Sequence, residues 1–288
     1  MIKKEFTMNH IFKRTIVLLN SLDKIEILLQ RAIAFSATHQ TTLEILYVHE
    51  APLFAVPDIF LSEEKRSERV LDKVKVKDEI GKRLEALGYT QESVVLVYVD
   101  NTVDRLRNHA KDEKESLVIC HYHESITPQL MQKSSCAFWI NKSFKKSYET
   151  MVMPIDLKSE SRDCIATAQH IFAESKLELV YDYRYLLDVL VMREDYLNVV
   201  PLTTGVDYEL SREMAMKNRE QFEAYKKEFN VDGFFMEGTG PLHEDLMEYI
   251  TEQKFDLTVL YHNNEELFFS PTLIVLLLEE LESDVFVC

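Results

Sequence analysis

The sequence contains one strand–helix–strand pattern twice, in residues 15–47 and again in residues 150–181. In each copy, a short apolar run precedes apolar residues at helical spacing. Each copy then ends in a similar pentapeptide, LEILY at residues 43–47 and LELVY at residues 177–181. A parallel crossover of this length is a βαβ unit, which requires a sheet covered by helices on both faces. The repeat therefore predicts two copies of one α/β domain.

The chain length agrees with two domains. A chain of 288 residues holds two domains of about 140 residues each, inside the usual range. The predicted domains are residues 1–145 and 146–288, divided within a short polar linker at residues 141–149. Each half is predicted to be a doubly wound parallel sheet of five strands with helices between them. The predicted strands are 15–19, 43–48, 94–99, 117–120 and 136–140 in the first half, and 151–155, 177–181, 231–236, 256–261 and 285–288 in the second.

The longer segments between these strands predict helices. One is predicted at residues 62–87 and a long, charged one at residues 208–229. Residues 183–205 predict a short helix and a loop, and residues 237–241 predict a turn. A Ser-Pro pair at residues 270–271 predicts the start of a final helix.

The net charge of −16 is concentrated in the second half of the chain. Residues 1–145 carry 21 Lys and Arg against 20 Asp and Glu, whereas residues 146–288 carry 12 against 29. This excess of carboxylates disfavours nucleic acid and anionic membranes as partners. It also disfavours a bound polyphosphate, unless Mg²⁺ or a local basic cluster offsets the charge.

The apolar runs and the cysteines favour a cytoplasmic protein. No apolar run approaches the ~18 residues of a membrane span, and the amino-terminal residues lack the apolar region of a signal peptide. The four cysteines, Cys120, Cys136, Cys164 and Cys288, show no CxxC spacing. In a cytoplasmic chain we expect buried thiols rather than a disulfide or a zinc site.

Several segments resemble the universal stress protein family. VMPID at residues 152–156 is similar to that family's first strand and its aspartate. EGTGP at 237–241, followed by the strand at 255–260, is similar to its Gly-Asp-Pro turn and fourth strand, and CAFWI at 136–140 and DVFV at 284–287 resemble its closing strand. The chain is identified as a tandem, two-domain member, and the resemblance implies the adenine-nucleotide alpha-hydrolase-like fold in each half.

The resemblance also implies how the halves associate. In the family, the last strands pair across a dimer, so the two halves are expected to pair within one chain as a pseudo-dimer. Phe138 and Trp139 of the fifth strand would then lie at the seam, with plain core packing as the alternative. A homodimer of the whole chain stays an open alternative, and the protein partners are unknown.

The segments that hold phosphates in the family differ in this chain. Nucleotide-binding members follow strand four with a glycine-bearing loop, whose backbone N–H groups cradle phosphates. Here no glycine lies between Gly88 and Gly205 or after Gly240, so both loops lack one. The family's aspartate is kept as Asp156, whereas Asn20 takes its place in the first half. The resemblance therefore implies no nucleotide cofactor, with ATP as the alternative.

Four polar residues that follow predicted strands are the candidate site residues. Asp156 and Asn20 are candidates for contact with a cofactor, and a cap of the next helix is the alternative role of the aspartate. His121 and His123 follow strand four, and on extended backbone both rings would lie on one face and could ligate a metal. Ordinary polar residues at a loop entry are the alternative, because the spacing implies no third ligand.

Three functional hypotheses follow. No Gly-x-Ser-x-Gly, Walker A or His-Glu-x-x-His motif is present, and we assign no catalytic residue. The first hypothesis is a non-enzymatic stress-response protein that binds partners or a small ligand in a degenerate cleft. The second is a nucleotide-binding member with a sensor or slow ATPase role, in which Asp156 contacts the adenine. The third is a metal-binding protein that uses His121 and His123.

Overall fold

The chain divides into two compact units, Met1–Phe144 and Lys145–Cys288. Each unit is an α/β fold around a parallel sheet, which confirms the predicted fold class. None of the described helices is long and apolar enough to span a membrane. The computed structural model describes residues 11–50, 72–91, 93–110, 115–157, 159–182, 205–236, 242–261 and 277–288. The sequence predictions for residues 183–204, 237–241 and 262–276 therefore lie outside the described residues.

The first unit alternates strands and helices. In chain order its elements are β1 Arg14–Leu19, α1 Glu26–His39, β2 Thr42–Glu50, α2 Lys73–Ala86, β3 Val94–Asp100, α3 Thr102–His109, β4 Ser116–His121, α4 Thr127–Lys133 and β5 Ala137–Asn141. The strands lie in the order β3-β2-β1-β4-β5, and all the pairings are parallel. The direction of strand progression reverses between β1 and β4.

Apolar residues on both faces of β1 explain its central position. Ile16, Val17, Leu18 and Leu19 are all buried, and Val17 lies in register with residues of both β2 and β4. A strand that is covered on both faces needs such a continuous apolar run. The buried face of α1 supplies part of the cover through Leu28, Leu29 and Ala32.

Trp139 on β5 is buried and contacts α1 of its own unit. Its ring centroid lies 6.5 Å from that of Phe35, with the two rings nearly perpendicular. The guanidinium carbon of Arg31 lies 5.2 Å from the Trp139 ring centroid, which is a cation–π distance. The predicted seam at Phe138 and Trp139 stays a prediction.

The helix predicted at residues 62–87 is confirmed from Lys73 onward as α2, whereas residues 62–71 of that prediction lie outside the described residues. α2 begins at Lys73, because the backbone of Asp72 is extended, with φ −75° and ψ 92°. The Asp72 carboxylate accepts hydrogen bonds of 3.1 Å from the backbone N–H groups of Val74 and Lys75. This cap satisfies two N–H groups that have no partner inside the helix, so the helix starts after the aspartate.

The second unit repeats the arrangement of the first. In chain order its elements are β6 Thr150–Pro154, α5 Ser159–Ile171, β7 Lys176–Asp182, α6 Gly205–Phe229, β8 Asp232–Met236, α7 Leu242–Gln253, β9 Leu257–Leu260 and β10 Asp284–Val287, with residues 277–280 also helical. The strands lie in the order β8-β7-β6-β9-β10, again all parallel. The long charged helix predicted from the sequence is α6.

Aromatic rings join α6 to the sheet of the second unit. Phe222 of α6 is fully buried, and its ring centroid lies 6.1 Å from Tyr181 of β7 and 5.9 Å from Phe235 of β8. Tyr225, one turn further along α6, is 1% exposed. The charged character of α6 therefore belongs to its outer face, and an aromatic stripe holds the helix on β7 and β8.

The expectation that all four cysteines are buried thiols is wrong for two of them. Cys164 of α5 and Cys288, directly after β10, form a disulfide with a Cα–Cα distance of 5.7 Å. The two residues are 124 positions apart, so only the packing of α5 beside β10 brings them together. Cys120 and Cys136 are buried free thiols, as expected.

Asp256 fastens the start of the second unit to its sheet. Its carboxylate pairs with Lys145 and accepts hydrogen bonds from the backbone N–H groups of Glu149, at 2.7 Å, and Thr150, at 3.1 Å. Burial raises the pKa of Asp256, but the hydrogen bonds outweigh burial and hold the pKa below its ordinary value. The carboxylate thus stabilises the fold in its charged form.

Replacing Asp256 by asparagine should lower the free energy of unfolding of the second unit by about 1–3 kcal/mol at neutral pH, because charged hydrogen bonds are lost. A lowered pKa means that this stabilisation is complete above the ordinary aspartate pKa and is lost as the pH falls through the folded-state pKa. In urea unfolding, the difference between wild type and Asp256→Asn should be constant from pH 7 to about pH 5 and shrink below about pH 4. The exposed Glu248→Gln serves as the control. A difference in unfolding free energy that does not change with pH would contradict the stabilising role of the charged Asp256 carboxylate.

Candidate functional site

The carboxyl ends of β1 and β4 form the candidate site of the first unit. Ligands of open parallel sheets bind at this edge, near the point where the strand order reverses. Asn20 directly follows β1, and His121 is the last residue of β4. The topology therefore brings these two sequence-predicted residues to one edge of the sheet. In the second unit, Asp156 lies just after β6, which is the central strand that corresponds to β1.

The side chain of Asn20 bridges three elements of the first unit. Its Nδ2 group donates to the backbone carbonyl of Val48 on β2, at 2.9 Å, and to the hydroxyl of Thr102 at the start of α3, at 2.8 Å. Both donor positions of the amide are thereby used inside the protein. A ligand that needed an N–H donor from Asn20 would have to break one of these hydrogen bonds.

Glu50, the last residue of β2, covers the N-terminus of α3. Its carboxylate accepts hydrogen bonds from the Thr102 backbone N–H, at 3.0 Å, from the Thr102 hydroxyl and from Nδ2 of Asn101, at 3.1 Å. The N-terminus of a helix attracts anions, because its N–H groups are unpaired and the helix dipole is positive there. In this unit the protein's own carboxylate takes the place of an external anion.

Asp156 lies in a different environment from Asn20. It is half-buried at the end of β6, next to Tyr181 of β7. Burial, followed by the charges of Asp156 and Asp182, raises the pKa of the Tyr181 phenol. The next residue, Leu157, has φ +59°, and its carbonyl accepts a 2.7 Å hydrogen bond from Nε2 of Gln221. The segment around Asp156 is thus tied to α6.

The two histidines of the first unit contact different groups. Nε2 of His121 lies 3.2 Å from the backbone carbonyl of Lys24, so Nε2 carries the proton and Nδ1 holds the lone pair. Nδ1 is buried and makes no hydrogen bond within the described part of the chain. Burial lowers the pKa of His121, which favours the neutral ring. Nδ1 of His123 instead lies 3.1 Å from the Ser125 hydroxyl, in the turn before α4.

These contacts bear on the predicted metal site. The lone pair of His121 is enclosed, and among the described residues no group of three His, Cys, Asp or Glu side chains is placed to hold a metal ion. The backbone at His123 has left the strand, since its carbonyl accepts hydrogen bonds from Ile126 and Thr127 in a turn. The metal site at His121 and His123 stays a prediction.

The sequence predicts Asn20 and Asp156 as site residues, which stays a prediction, and it does not single out Glu50 and Thr102. The first two stand out because they directly follow central strands. The Glu50–Thr102 hydrogen bonds join residues 52 positions apart, and they form only when β3 and α3 return beside β2. A possible signal was the Asp-Asn-Thr sequence at residues 100–102, which is typical of a helix cap and implies an anion-attracting helix end nearby.

Comparison with known proteins shows the fold. No protein family model matches the sequence, and no curated protein matches it. The structure is similar to a universal stress protein from Archaeoglobus fulgidus DSM 4304, with a TM-score of 0.60 at 10% sequence identity, over 97% of this chain and 98% of that chain. The universal stress protein UspA from Lactobacillus plantarum is similar over 45% of this chain and 97% of its own, with a TM-score of 0.36 and 18% identity.

Proposed function

We propose that this chain, which has the universal stress protein fold, is a non-enzymatic cytoplasmic stress-response protein. It acts by binding protein partners or a small ligand, and it does so without an ATP phosphate loop. The fold belongs to both units, since the likeness to the Archaeoglobus protein extends over nearly the whole chain. The similarity of the chain to universal stress proteins supports the stress role, and the hydrogen bonds of Glu50 and Asn20 support the absence of a bound nucleotide phosphate.

The Glu50 carboxylate at the N-terminus of α3 is the observation that carries this proposal. A nucleotide phosphate that approached this helix end would meet a carboxylate already bonded to Thr102 and Asn101. The negative phosphate and the negative Glu50 carboxylate would repel each other. The phosphate would also have to replace the hydrogen bonds that Glu50 accepts from Thr102 and Asn101. Both N–H groups of the Asn20 amide are likewise used inside the protein, since they donate to Val48 and Thr102.

The sequence after each fourth strand supports the same conclusion. Phosphate-binding loops need glycine where the backbone comes close to the ligand. Neither half has a glycine between its fourth and fifth strands. In the second half, the excess of 29 Asp and Glu over 12 Lys and Arg adds a field that opposes a polyphosphate.

Binding of ATP or AMP to the second unit is the alternative. One observation favours it: Asp156 keeps the family's acid at the end of β6, where the first unit has an asparagine. Such a nucleotide would need Mg²⁺ to offset the local negative charge. It would contact Asp156 through its base or ribose rather than through its phosphates.

Titration with Mg-ATP and Mg-AMP separates these functions. We expect no increase in melting temperature and no released ADP, because Asn20 and Glu50 are already hydrogen-bonded within the first unit and both phosphate loops lack glycine. A ligand specific for the folded protein at a hundredfold its Kd would add about 2.7 kcal/mol, which a melt detects. Stabilisation that Asp156→Asn abolishes and Asn20→Asp leaves intact would overturn the proposal in favour of the alternative.

A further inference from the structure

We propose that Cys164 and Cys288 form a reversible redox pair, through which the stability of the second unit responds to the thiol–disulfide balance around the protein. This inference goes beyond the proposed function and does not depend on whether a nucleotide binds. It rests on the placement of the two sulfurs, on their unequal exposure and on the elements that carry them.

The fold holds the two cysteines together even without the bond. Cys164 lies on α5, a helix whose neighbouring residues Ile165 and Ala168 are fully buried. Cys288 follows β10, and its backbone N–H donates to the carbonyl of Leu260 at 3.0 Å. The Cα–Cα distance of 5.7 Å in the bonded form is within the range of ordinary disulfides. Because α5 and the residue after β10 are both held by the fold, we expect the reduced thiols to remain close enough to re-form the bond.

The unequal exposure of the two sulfurs gives each a separate role. The residue Cys288 is half-buried, whereas Cys164 is 3% exposed, so we expect a reagent from solution to react first at Cys288. The free thiols of the first unit are not equivalent to this pair. Burial raises the pKa of the Cys120 thiol to about 12, which leaves almost no reactive thiolate at neutral pH.

Oxidation proceeds in two exchange steps with a small-molecule disulfide such as oxidised glutathione. The Cys288 thiolate attacks one sulfur of that disulfide, which forms a mixed disulfide and releases one small thiolate. The Cys164 thiolate then attacks Sγ of Cys288 and expels the second small thiolate, which takes up a proton from water. In sum, two protein thiols are oxidised to one disulfide, and the small-molecule disulfide is reduced to two thiols.

The bond joins two ends of the second unit. It closes a loop of 124 residues that contains most of that unit, so it restricts the unfolded chain strongly. It also joins α5, the helix that follows Asp156, to the end of β10, the last strand of the second unit. The reversibility of the bond rests on the cytoplasmic localisation in the proposed function, because disulfides of cytoplasmic proteins are usually transient or redox-sensing, which favours a switch over a permanent disulfide.

Glutathione buffers of defined ratio test the pair on the whole protein. In oxidised glutathione we expect two titratable thiols per denatured chain and a linked Cys164–Cys288 peptide by mass spectrometry. In millimolar reduced glutathione we expect four titratable thiols. Four thiols in both buffers, or a link between Cys120 and Cys136, would overturn the proposal. A bond that persists in reduced glutathione would overturn it too, because the disulfide would then be permanent.

The effect on stability is measured by hydrogen exchange in α5 and β10. Oxidation should slow exchange there on the order of a hundredfold, through the restricted unfolded chain. Trp139, the single tryptophan of the sequence, lies in the first unit, so its fluorescence should be unchanged by oxidation. Cys288→Ser should abolish this slowing of exchange, and it should disturb the fold less than Cys164→Ser, because Cys164 is more deeply buried. The control variant Cys136→Ala should still show the slowing. Equal exchange in both buffers would overturn the proposal.

Discussion

Replacing Phe222 by alanine should lower the free energy of unfolding of the second unit by about 3–5 kcal/mol. Phe222 is fully buried between α6 and the sheet, where its ring packs against the rings of Tyr181 and Phe235. Alanine would remove these aromatic contacts and leave a cavity that neighbouring rings, held by two strands, fill only in part. Urea unfolding followed by far-ultraviolet circular dichroism measures the loss.

Two variants on the same helix control this prediction. Phe222→Leu keeps most of the volume and should cost less than Phe222→Ala, by a margin of about 1–3 kcal/mol. Met216→Ala alters a side chain that is 60% exposed and should change stability by less than about 0.5 kcal/mol. If Phe222→Ala cost no more than Met216→Ala, α6 would not be packed on β7 and β8 through this ring.

Replacing Gly233 by alanine should destabilise the second unit by about 1–3 kcal/mol. A Cβ atom at Gly233 would lie 2.7 Å from Cζ of Phe222, 2.8 Å from Cδ of Lys226 and 2.9 Å from the carbonyl oxygen of Leu179. The lysine can move aside at little cost. The carbonyl cannot, because Leu179 and Gly233 are register partners in the pairing of β7 with β8. Glycine is therefore the residue that lets α6 approach β8.

Gly81→Ala gives a matched control of opposite sign. Gly81 lies inside α2 of the first unit, and a Cβ atom there would meet nothing within 4 Å. Alanine is the better helix former by about 1 kcal/mol, so this variant should be stabilised. Urea unfolding measures whether Gly233→Ala lowers and Gly81→Ala raises the free energy of unfolding. Destabilisation by Gly81→Ala, or stabilisation by Gly233→Ala, would contradict the packing described here.

The double variant of Phe222 and Gly233 tests whether these two residues act on one contact. Phe222→Ala removes one of the atoms that the new Cβ would meet, while the Leu179 carbonyl stays in place. The loss in the double variant should therefore be smaller than the two single losses added together. Strict additivity would mean that the ring and the glycine are independent.

Particular residues show why the candidate site was only partly predictable. Asn20 and Asp156 were predicted as site residues because the apolar pattern marks the end of a central strand in the sequence, and their role in a site stays a prediction. The hydrogen bonds of Asn20 to Val48 and Thr102 could not be found in this way, since they span 28 and 82 residues of the chain. Glu50 could not be predicted for the same reason, because its partner Thr102 is 52 residues away in the sequence.

The cysteines illustrate the same division in the second unit. Sequence spacing predicted no disulfide, because spacing reports only on neighbours along the chain. The Cys164–Cys288 pair depends on the packing that brings α5 close to the residue after β10, 124 positions along the chain. The burial of Cys120 and Cys136 was predicted correctly, because Cys120 lies inside the apolar strand β4 and Cys136 directly precedes the apolar strand β5.

The sequence by itself determined the two-fold repeat, the parallel α/β class of each half and the central strands, because these follow from apolar periodicity and turn residues along the chain. It also determined that both fourth strands lead into segments without glycine. Only the tertiary structure decided the surroundings of the candidate residues: Glu50 covers the N-terminus of α3 in the first unit, and Asp156 interacts electrostatically with Tyr181 in the second. The reason is physical. Local pattern sets which segments are strands and helices, whereas hydrogen bonds and disulfides between distant side chains exist only once packing has brought those segments together.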